Sequence, residues 1–205
     1  MPEAPARSRH AQLFEFVLIV ALAVGLALSV QAYAVKPYRI PSESMLPTLK
    51  VGDRVLVNRL SHRLGSDPKV GQVVVFTPPA GAEAVPARCG VPDRNGRACP
   101  APTAQRASTT FVKRVVAVGG DRISIRGGHV IRNGVRERDA YTLPCTPDDG
   151  CDFPRAITIP RGDVFLMGDN RGNSDDSRFW GPIPRDWVIG QASLRYWPLG
   201  RLGSP

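Results

Sequence analysis

The sequence predicts a mainly β protein, built from twisted antiparallel sheets that follow a single N-terminal transmembrane helix. Two observations lead to this fold class. An uncharged run of twenty residues lies close to the N-terminus, and short segments rich in Val and Ile, bounded by glycine, cover much of the remaining chain. A length of 205 residues is enough for one domain with a substantial core in addition to such a helix.

The uncharged run extends from Phe16 to Val35, and its only clearly polar side chains are Ser29 and Gln31. As a helix with a rise of about 1.5 Å per residue, it would span roughly 30 Å, the hydrocarbon thickness of a bilayer. Basic residues in the preceding segment favour a cytoplasmic N-terminus. We therefore expect a cytoplasmic tail over residues 1–15, a transmembrane anchor over 16–35 and an extracytoplasmic domain over 36–205.

A second interpretation of this run is a cleaved secretory signal, because Ala32-Tyr33-Ala34 is an A-x-A pattern. The run is longer than the usual apolar core of such a signal, and no distinct polar region separates it from the pattern. These two features favour an uncleaved anchor. Under either interpretation the rest of the chain is exported.

The predicted strands are short, rich in β-branched residues and separated by turn signals. Gly127, Gly128 and Gly134 indicate hairpin turns, and Gly-Asp pairs recur at irregular intervals, which indicates turns rather than a repeat. The strand segments are 53–60, 72–78, 110–118, 122–135, 156–169 and 188–198.

Two segments between these strands are expected to be excursions from the domain. Residues 77–108 are rich in Pro, Ala and Gly and form a long surface excursion, and residues 139–155 form a smaller one. The first contains Cys89 and Cys99, and the second contains Cys145 and Cys151. Zinc favours tighter cysteine pairs or nearby histidines, so two local disulfides in an oxidising compartment are the simpler interpretation. Four cysteines still permit three connectivities, and no metal site is expected.

The charge balance is basic, with 27 Lys and Arg against 18 Asp and Glu and a net charge of +9. The arginines are scattered rather than gathered into a run, which does not favour nucleic acid. A surface next to anionic lipid headgroups explains the same charge, and export of the domain leaves no role for nucleic acid.

Histidine offers no obvious base for a serine nucleophile. His10 lies before the anchor, His62 lies in a polar segment and His129 is at a predicted hairpin tip, although a Ser-His-Asp triad is defined by geometry rather than spacing. Lysine can serve as the base where burial lowers its pKa from the usual value of about 10.4. Lys113 lies within an apolar strand, and alternation places Lys113 and Arg114 on opposite faces, so one of the two must face the buried side.

A dense polar loop, "MGDNRGNSDDSRFWGPIP" over residues 167–184, comes directly after the apolar part of the predicted strand segment 156–169. Turns rich in Asp, Asn and Gly are common in β proteins, but here hydrogen-bonding side chains are unusually dense ahead of Phe179 and Trp180. The loop therefore predicts a rigid polar network that supports a site. Its members are Asp169, Asn170, Ser174, Asp176, Ser177 and Arg178.

Four motifs together resemble those of bacterial type I signal peptidases, the membrane-anchored serine proteases that remove signal peptides from exported proteins. They follow the apolar run in the order found in that family. The motifs are "PSESMLPTL" (41–49), "GDRVLVNRL" (52–60), "FVKRVVAVGGD" (111–121) and "GDNRGNSDDSRFWGPIP" (168–184).

The resemblance implies a role for several individual residues. Ser44 would be the nucleophile, Lys113 the general base, and the Ser42 hydroxyl would form the oxyanion hole together with the Ser44 N–H. Ser174 resembles the serine that hydrogen-bonds the lysine amine, and Met45 a residue that lines the substrate cleft.

Beneath the site, Asp176 and Arg178 match a structural ion pair of that family. Glu43 departs from the family, in which many members carry glycine between the two serines. Its side chain must therefore point away from the cleft or alter its shape.

The implied function is cleavage of exported preproteins after Ala-x-Ala-like sites at the cytoplasmic membrane of a bacterium. The expected partners are signal-peptide-bearing preproteins emerging from the export machinery and the lipid bilayer, and no cofactor or metal is expected. Two alternatives remain open: a specialised Ser/Lys maturation protease with few substrates, and an inactive tethered β domain that binds exported chains.

Overall fold

A computed structural model describes residues 9–143, 145 and 151–205 of the chain. The first eight residues of the predicted tail and part of the predicted excursion 139–155 therefore lie outside the described residues. The described chain is mainly β and begins with one long apolar helix, which confirms the predicted fold class. Its strands form one sheet of seven and one sheet of four, and every pairing within them is antiparallel.

The long helix, α1, covers Arg9–Tyr33. It is long and apolar enough to cross a membrane, and none of residues 9–26 is buried against the rest of the protein. It begins seven residues before the predicted anchor and ends before Val35, which is already the first residue of strand β1 (Val35–Arg39). The Arg59 N–H donates to the Ala34 carbonyl at 2.8 Å, so the helix passes into the sheet within two residues.

The seven-stranded sheet positions the candidate site. Its strands lie in the order β1, β2, β11, β3, β4, β9, β10, so segments far apart in sequence become neighbours. Their bounds are β1 Val35–Arg39, β2 Arg54–Asn58, β3 Val73–Phe76, β4 Phe111–Val118, β9 Asp163–Met167, β10 Ile183–Pro184 and β11 Val188–Trp197.

The four-stranded sheet, in the order β7, β6, β5, β8, is built mainly from the hairpin that the glycines predict. Its strands are β5 Arg122–Arg126, β6 His129–Arg132, β7 Val135–Arg136 and β8 Phe153–Thr158. The predicted segment 156–169 is divided between the sheets, because a turn over Pro160–Asp163 separates β8 from β9. Gly162 lies in this turn with φ +85°, a conformation that glycine adopts without steric cost.

Apolar clusters cover both faces of the larger sheet around β3. Val74 and Phe76 belong to one cluster and Val73 and Val75 to another, which is why this strand is apolar without alternation. A third cluster joins the sheets, since Phe165 and Met167 of β9 pack with Ile123 and Ile125 of β5, among others. The strands that carry the candidate site are therefore held from both sides.

Among the described residues, the remaining elements are two short helices, α2 (Leu60–Arg63) and α3 (Ser177–Trp180), and two 3₁₀ turns. The excursion 77–108 is not confined to the surface, because Ala82 and Cys99 are fully buried in it. The Cys99 N–H donates to the Arg178 carbonyl at 2.9 Å, so the excursion packs against α3. Disulfides join Cys89 to Cys99 and Cys145 to Cys151.

Candidate active site

Ser44 lies in the tight loop that connects β1 to β2. Ile40, Met45 and Leu49 anchor this loop, because all three side chains are buried in the apolar cluster beneath it. The Leu49 N–H donates to the Met45 carbonyl at 2.8 Å, which closes one helical turn directly after the serine. The apolar positions of the motif thus fix the backbone that presents Ser44.

The Lys113 amine contacts the Ser44 hydroxyl directly. Nζ donates to Oγ over 2.6 Å, and the two residues are 5 % and 9 % exposed. Lys113 is supplied by β4, which lies between β3 and β9 inside the sheet: Lys113 pairs with Val74 of β3, and the pairing of β4 with β9 begins at the next residue, Arg114. The sheet therefore brings together two residues that are 69 positions apart in sequence.

Burial lowers the pKa of Lys113 from 10.5 to about 8, because removal from water disfavours the ammonium form. The carboxylates of Asp176, Asp175 and Asp169 act in the opposite direction and raise this pKa, whereas Arg178 lowers it. A useful fraction of the amine is therefore neutral near physiological pH, as a general base requires.

Both adjacent basic residues of β4 are buried, whereas strand alternation predicts only one. The Arg114 guanidinium forms two hydrogen bonds to Asp169, Nε to Oδ1 at 2.8 Å and Nη2 to Oδ2 at 2.7 Å. It also donates to the Gly71 carbonyl at 2.6 Å and lies 4.3 Å from the Tyr141 ring centroid. Sequence reasoning missed Arg114, although a second charge in the middle of an apolar strand was a signal that a buried partner exists.

Asp169 and Asn170 connect this ion pair to the serine loop. The Thr48 hydroxyl donates to Asp169 Oδ2 at 2.6 Å. Asn170 donates twice to the serine loop: its N–H to the Ser44 carbonyl at 3.1 Å and its Nδ2 to the Glu43 carbonyl at 3.2 Å. These contacts form the polar network that the density of the loop predicts.

The residues on either side of Ser44 occupy different environments. Ser42 is exposed, and its Oγ lies 3.3 Å from Ser44 Oγ. The Ser44 N–H donates no hydrogen bond within the part of the chain that the structure describes. Glu43 is exposed on the cleft, and Met45 is almost fully buried, so it contributes to the cleft floor from within the core.

A cleft of about 580 Å³ opens over Ser44 and Lys113. Two chain segments supply most of its lining, residues 38–45 before and around the serine and residues 109–113 leading to the lysine, and Glu83, Asn173 and Asp175 complete it. Its size is within the range of pockets that bind small molecules and short peptide segments.

Ser174 does not make the hydrogen bond to the lysine amine that the family resemblance implies. Its Oγ is buried and has no hydrogen-bond partner among the described residues. The hydroxyl lies against Gly168, where a Cβ would come within 2.3 Å of Ser174 Oγ and 2.4 Å of the Ser44 carbonyl oxygen. Gly168 thus permits Ser174 and the serine loop to approach one another closely.

The Asp176–Arg178 ion pair lies fully buried beneath the site. Arg178 donates to Asp176 through Nε at 2.8 Å and Nη2 at 2.9 Å, and it also donates to the Arg171 and Ser174 carbonyls. The Asp176 carboxylate in turn caps α3 and accepts from the Gly168 N–H at 3.1 Å. Arg178 and these hydrogen bonds hold the pKa of Asp176 below its usual range, although burial acts to raise it.

Histidine takes no part in this arrangement within the described residues. His129 pairs with Asp139 on the four-stranded sheet side of the molecule, and His10 lies in α1. The described partners of Ser44 Oγ are Lys113 Nζ and Ser42 Oγ.

Comparison with known proteins shows which family the chain belongs to. The family model described as "Signal peptidase, peptidase S26" matches residues 13–197. The chain belongs to this family. Membership confirms the resemblance found in the sequence and identifies a serine peptidase of the signal peptidase type.

Three curated signal peptidases match the chain over nearly its full length. Signal peptidase I of Leptolyngbya laminosa is 35 % identical over 98 % of this chain and 90 % of its own. A probable signal peptidase I-1 of Synechocystis is 34 % identical over 99 % of this chain and 92 % of its own length. Signal peptidase I of Mycobacterium tuberculosis is 33 % identical over 98 % of this chain and 78 % of its own length.

Replacing Gly168 with alanine is expected to impair the peptidase site. The added Cβ would lie 2.4 Å from the Ser44 carbonyl oxygen, so the backbone of residue 168 or of Ser44 must shift. A misplacement of about 1 Å lowers reactivity by about 10- to 100-fold. The rate of acylation by a serine-reactive β-lactam-type inhibitor measures the effect. Gly200→Ala is the matched control, since a Cβ there meets nothing within 4 Å; equal rates for both variants would contradict the argument.

Arg178→Ala is expected to lower the free energy of unfolding by about 3–5 kcal/mol, because it leaves the Asp176 carboxylate buried without its partner. Urea unfolding of the full chain in detergent, followed by tryptophan fluorescence, measures this change. Arg185→Ala is the control: it removes an exposed ion pair with Asp67 and should cost less than about 1 kcal/mol. If the two variants lose similar amounts of unfolding free energy, the Asp176–Arg178 pair is not a main support of the polar loop 167–184.

Proposed function

We propose that this protein is an endopeptidase that removes N-terminal signal peptides from exported preproteins, with Ser44 as nucleophile and Lys113 as general base. The observation that carries the proposal is the 2.6 Å contact between Lys113 Nζ and Ser44 Oγ, both buried at the floor of a cleft. The family relationship supplies the reaction class, and the named relatives are signal peptidases.

In the first step, the neutral Lys113 amine accepts the Ser44 hydroxyl proton while Oγ attacks the scissile carbonyl carbon. The Ser44 N–H and the Ser42 hydroxyl hold the oxyanion that develops. The Lys113 ammonium then protonates the leaving amine, which breaks the peptide bond and leaves an acyl-enzyme. A water molecule, deprotonated by the same lysine, hydrolyses the ester and restores Ser44.

The substrate would lie extended in the cleft, where the segments 38–45 and 109–113 offer backbone groups for strand addition. Buried Ile40 and Met45 limit the depth of the floor, which favours small side chains. This supports cleavage after Ala-x-Ala-like sites, the specificity that the family resemblance implies.

The helix α1 would anchor the domain to the cytoplasmic membrane of a bacterium as a single span, with the N-terminus cytoplasmic and residues 36–205 outside the cytoplasm. Only a five-residue strand and a short loop separate the end of α1 from Ser44. A preprotein emerging from the export machinery carries its own apolar segment in the same bilayer. Tethering both reactants to one surface raises their effective concentration.

The pH dependence of kcat/KM is expected to report the Lys113 amine. Because burial lowers its pKa to about 8, kcat/KM should rise tenfold per pH unit below that value and level off above it. Asp175 raises this pKa, so Asp175→Asn should shift the midpoint towards lower pH. A midpoint that stays near 6.5 in both proteins would indicate a histidine base instead.

Ser44→Ala and Lys113→Met are expected to abolish cleavage of a preprotein with an Ala-x-Ala site by the detergent-solubilised protein. Loss of the nucleophile should lower the rate by at least about 10³-fold and loss of the base by at least about 10²-fold. Ser204→Ala and Lys69→Met change the same residue types at exposed positions outside the cleft and should retain activity.

Each other outcome of this experiment has a defined meaning. If both site variants still cleave, the Ser44–Lys113 assignment is wrong. If the parent accepts only a few of many preproteins, a maturation protease of narrow range is favoured, and if it binds them all without cleavage, the inactive binding domain is favoured.

A further inference from the structure

Asn170 makes contact with both peptide groups that flank the Ser44 Cα. Its backbone N–H donates to the Ser44 carbonyl, on the C-terminal side of that Cα, at 3.1 Å. Its side-chain Nδ2 donates to the Glu43 carbonyl, on the N-terminal side of that Cα, at 3.2 Å. The Leu46 N–H donates to the same Glu43 carbonyl at 3.0 Å, so this oxygen accepts two hydrogen bonds.

The peptide group between Glu43 and Ser44 also contains the Ser44 N–H. Since this peptide is trans, its C=O and N–H point in opposite directions, and fixing the carbonyl fixes the direction of the N–H. That N–H has no acceptor among the described residues, whereas the carbonyl has two donors. Donation to a carbonyl also polarises the amide and strengthens its N–H as a donor.

The position of Asn170 is itself well determined. The preceding Asp169 is fully buried and held by Arg114 and Thr48 through their side chains, and its carbonyl accepts from the Leu143 N–H at 2.9 Å. The Asn170 carbonyl accepts from the Asn173 N–H at 3.0 Å. The side-chain amide of Asn170 is therefore attached to a backbone that hydrogen bonds hold at both Asp169 and Asn170.

From these contacts we propose that the Asn170 side chain positions the oxyanion donor: it sets the orientation of the Glu43–Ser44 peptide so that the Ser44 N–H meets the developing negative charge. The inference rests on the proposed function and adds a positioning residue to it. Asn170 touches neither the reacting atoms nor the substrate in this role, and it acts through the backbone of Ser44.

Asn170→Leu tests the inference, because leucine has a similar size and no donor. The backbone contact of residue 170 to the Ser44 carbonyl is retained in this variant. Loss of one hydrogen bond that matters mainly in the transition state should lower kcat about tenfold and leave KM within about twofold. Asn170→Ala removes the amide without adding volume and serves as the second variant if leucine lowers the melting temperature.

Two inhibitors separate positioning from a structural role. Ser44 Oγ attacks the carbonyl carbon of a peptide aldehyde, and the former carbonyl oxygen of the adduct then lies against the oxyanion donors. The corresponding peptide amide binds in the cleft without forming this adduct. We expect the aldehyde to bind about tenfold more weakly to Asn170→Leu, with binding of the amide unchanged. Aldehyde affinity and kcat equal to those of the parent would overturn the inference, as would a loss confined to KM and to amide binding.

The same assay includes the parent protein and Ser44→Ala, which separates this inference from the proposed function. A parent that does not cleave, or a Ser44→Ala variant that does, refutes the proposed function. If the parent cleaves, Ser44→Ala is inert and Asn170→Leu matches the parent, the role of Asn170 alone is refuted.

Discussion

The burial of one lysine amine beside a serine hydroxyl is the constraint on which the site depends. Removal of the Lys113 amine from water lowers its pKa, and the nearby carboxylates of Asp176, Asp175 and Asp169 act in the opposite direction. Two of these carboxylates are paired with arginine: Arg178 engages both oxygens of Asp176, and Arg114 engages both oxygens of Asp169. Arg178 also lowers the pKa of Lys113 directly, so its positive charge acts in the same direction as burial.

The Arg114–Asp169 ion pair helps to assemble three segments that are distant in sequence. The loop around Ser44, the strand β4 and the polar loop after β9 meet because β4 and β9 are neighbours in the larger sheet. Thr48, Asp169 and Arg114 then link all three through side-chain hydrogen bonds. Rigid strands thus carry the lysine and support the serine loop, which limits the movement available to either group.

The sequence predicted most strands and the polar loop, because β-branched runs between glycines have a clear period and turn chemistry. It did not predict β1, whose residues "VKPYR" carry two charges and a proline directly after the apolar run. Nor did it predict the burial of Arg114, since its partner Asp169 is 55 residues away and strand pairing is not visible in one sequence. For Ser174, the motif gives the residue type but not its hydrogen-bond partner, and its Oγ has none among the described residues.

The junction between α1 and β1 has a consequence for the protein's own Ala32-Tyr33-Ala34 motif. The Ala34 carbonyl accepts from the Arg59 N–H, and all five residues of β1, starting with Val35, are paired with β2. An enzyme that reads an extended substrate strand would have to separate this ladder before it could take up the bond after Ala34. Folding of the domain therefore keeps the bond after Ala34 out of reach of any peptidase that binds its substrates as extended strands.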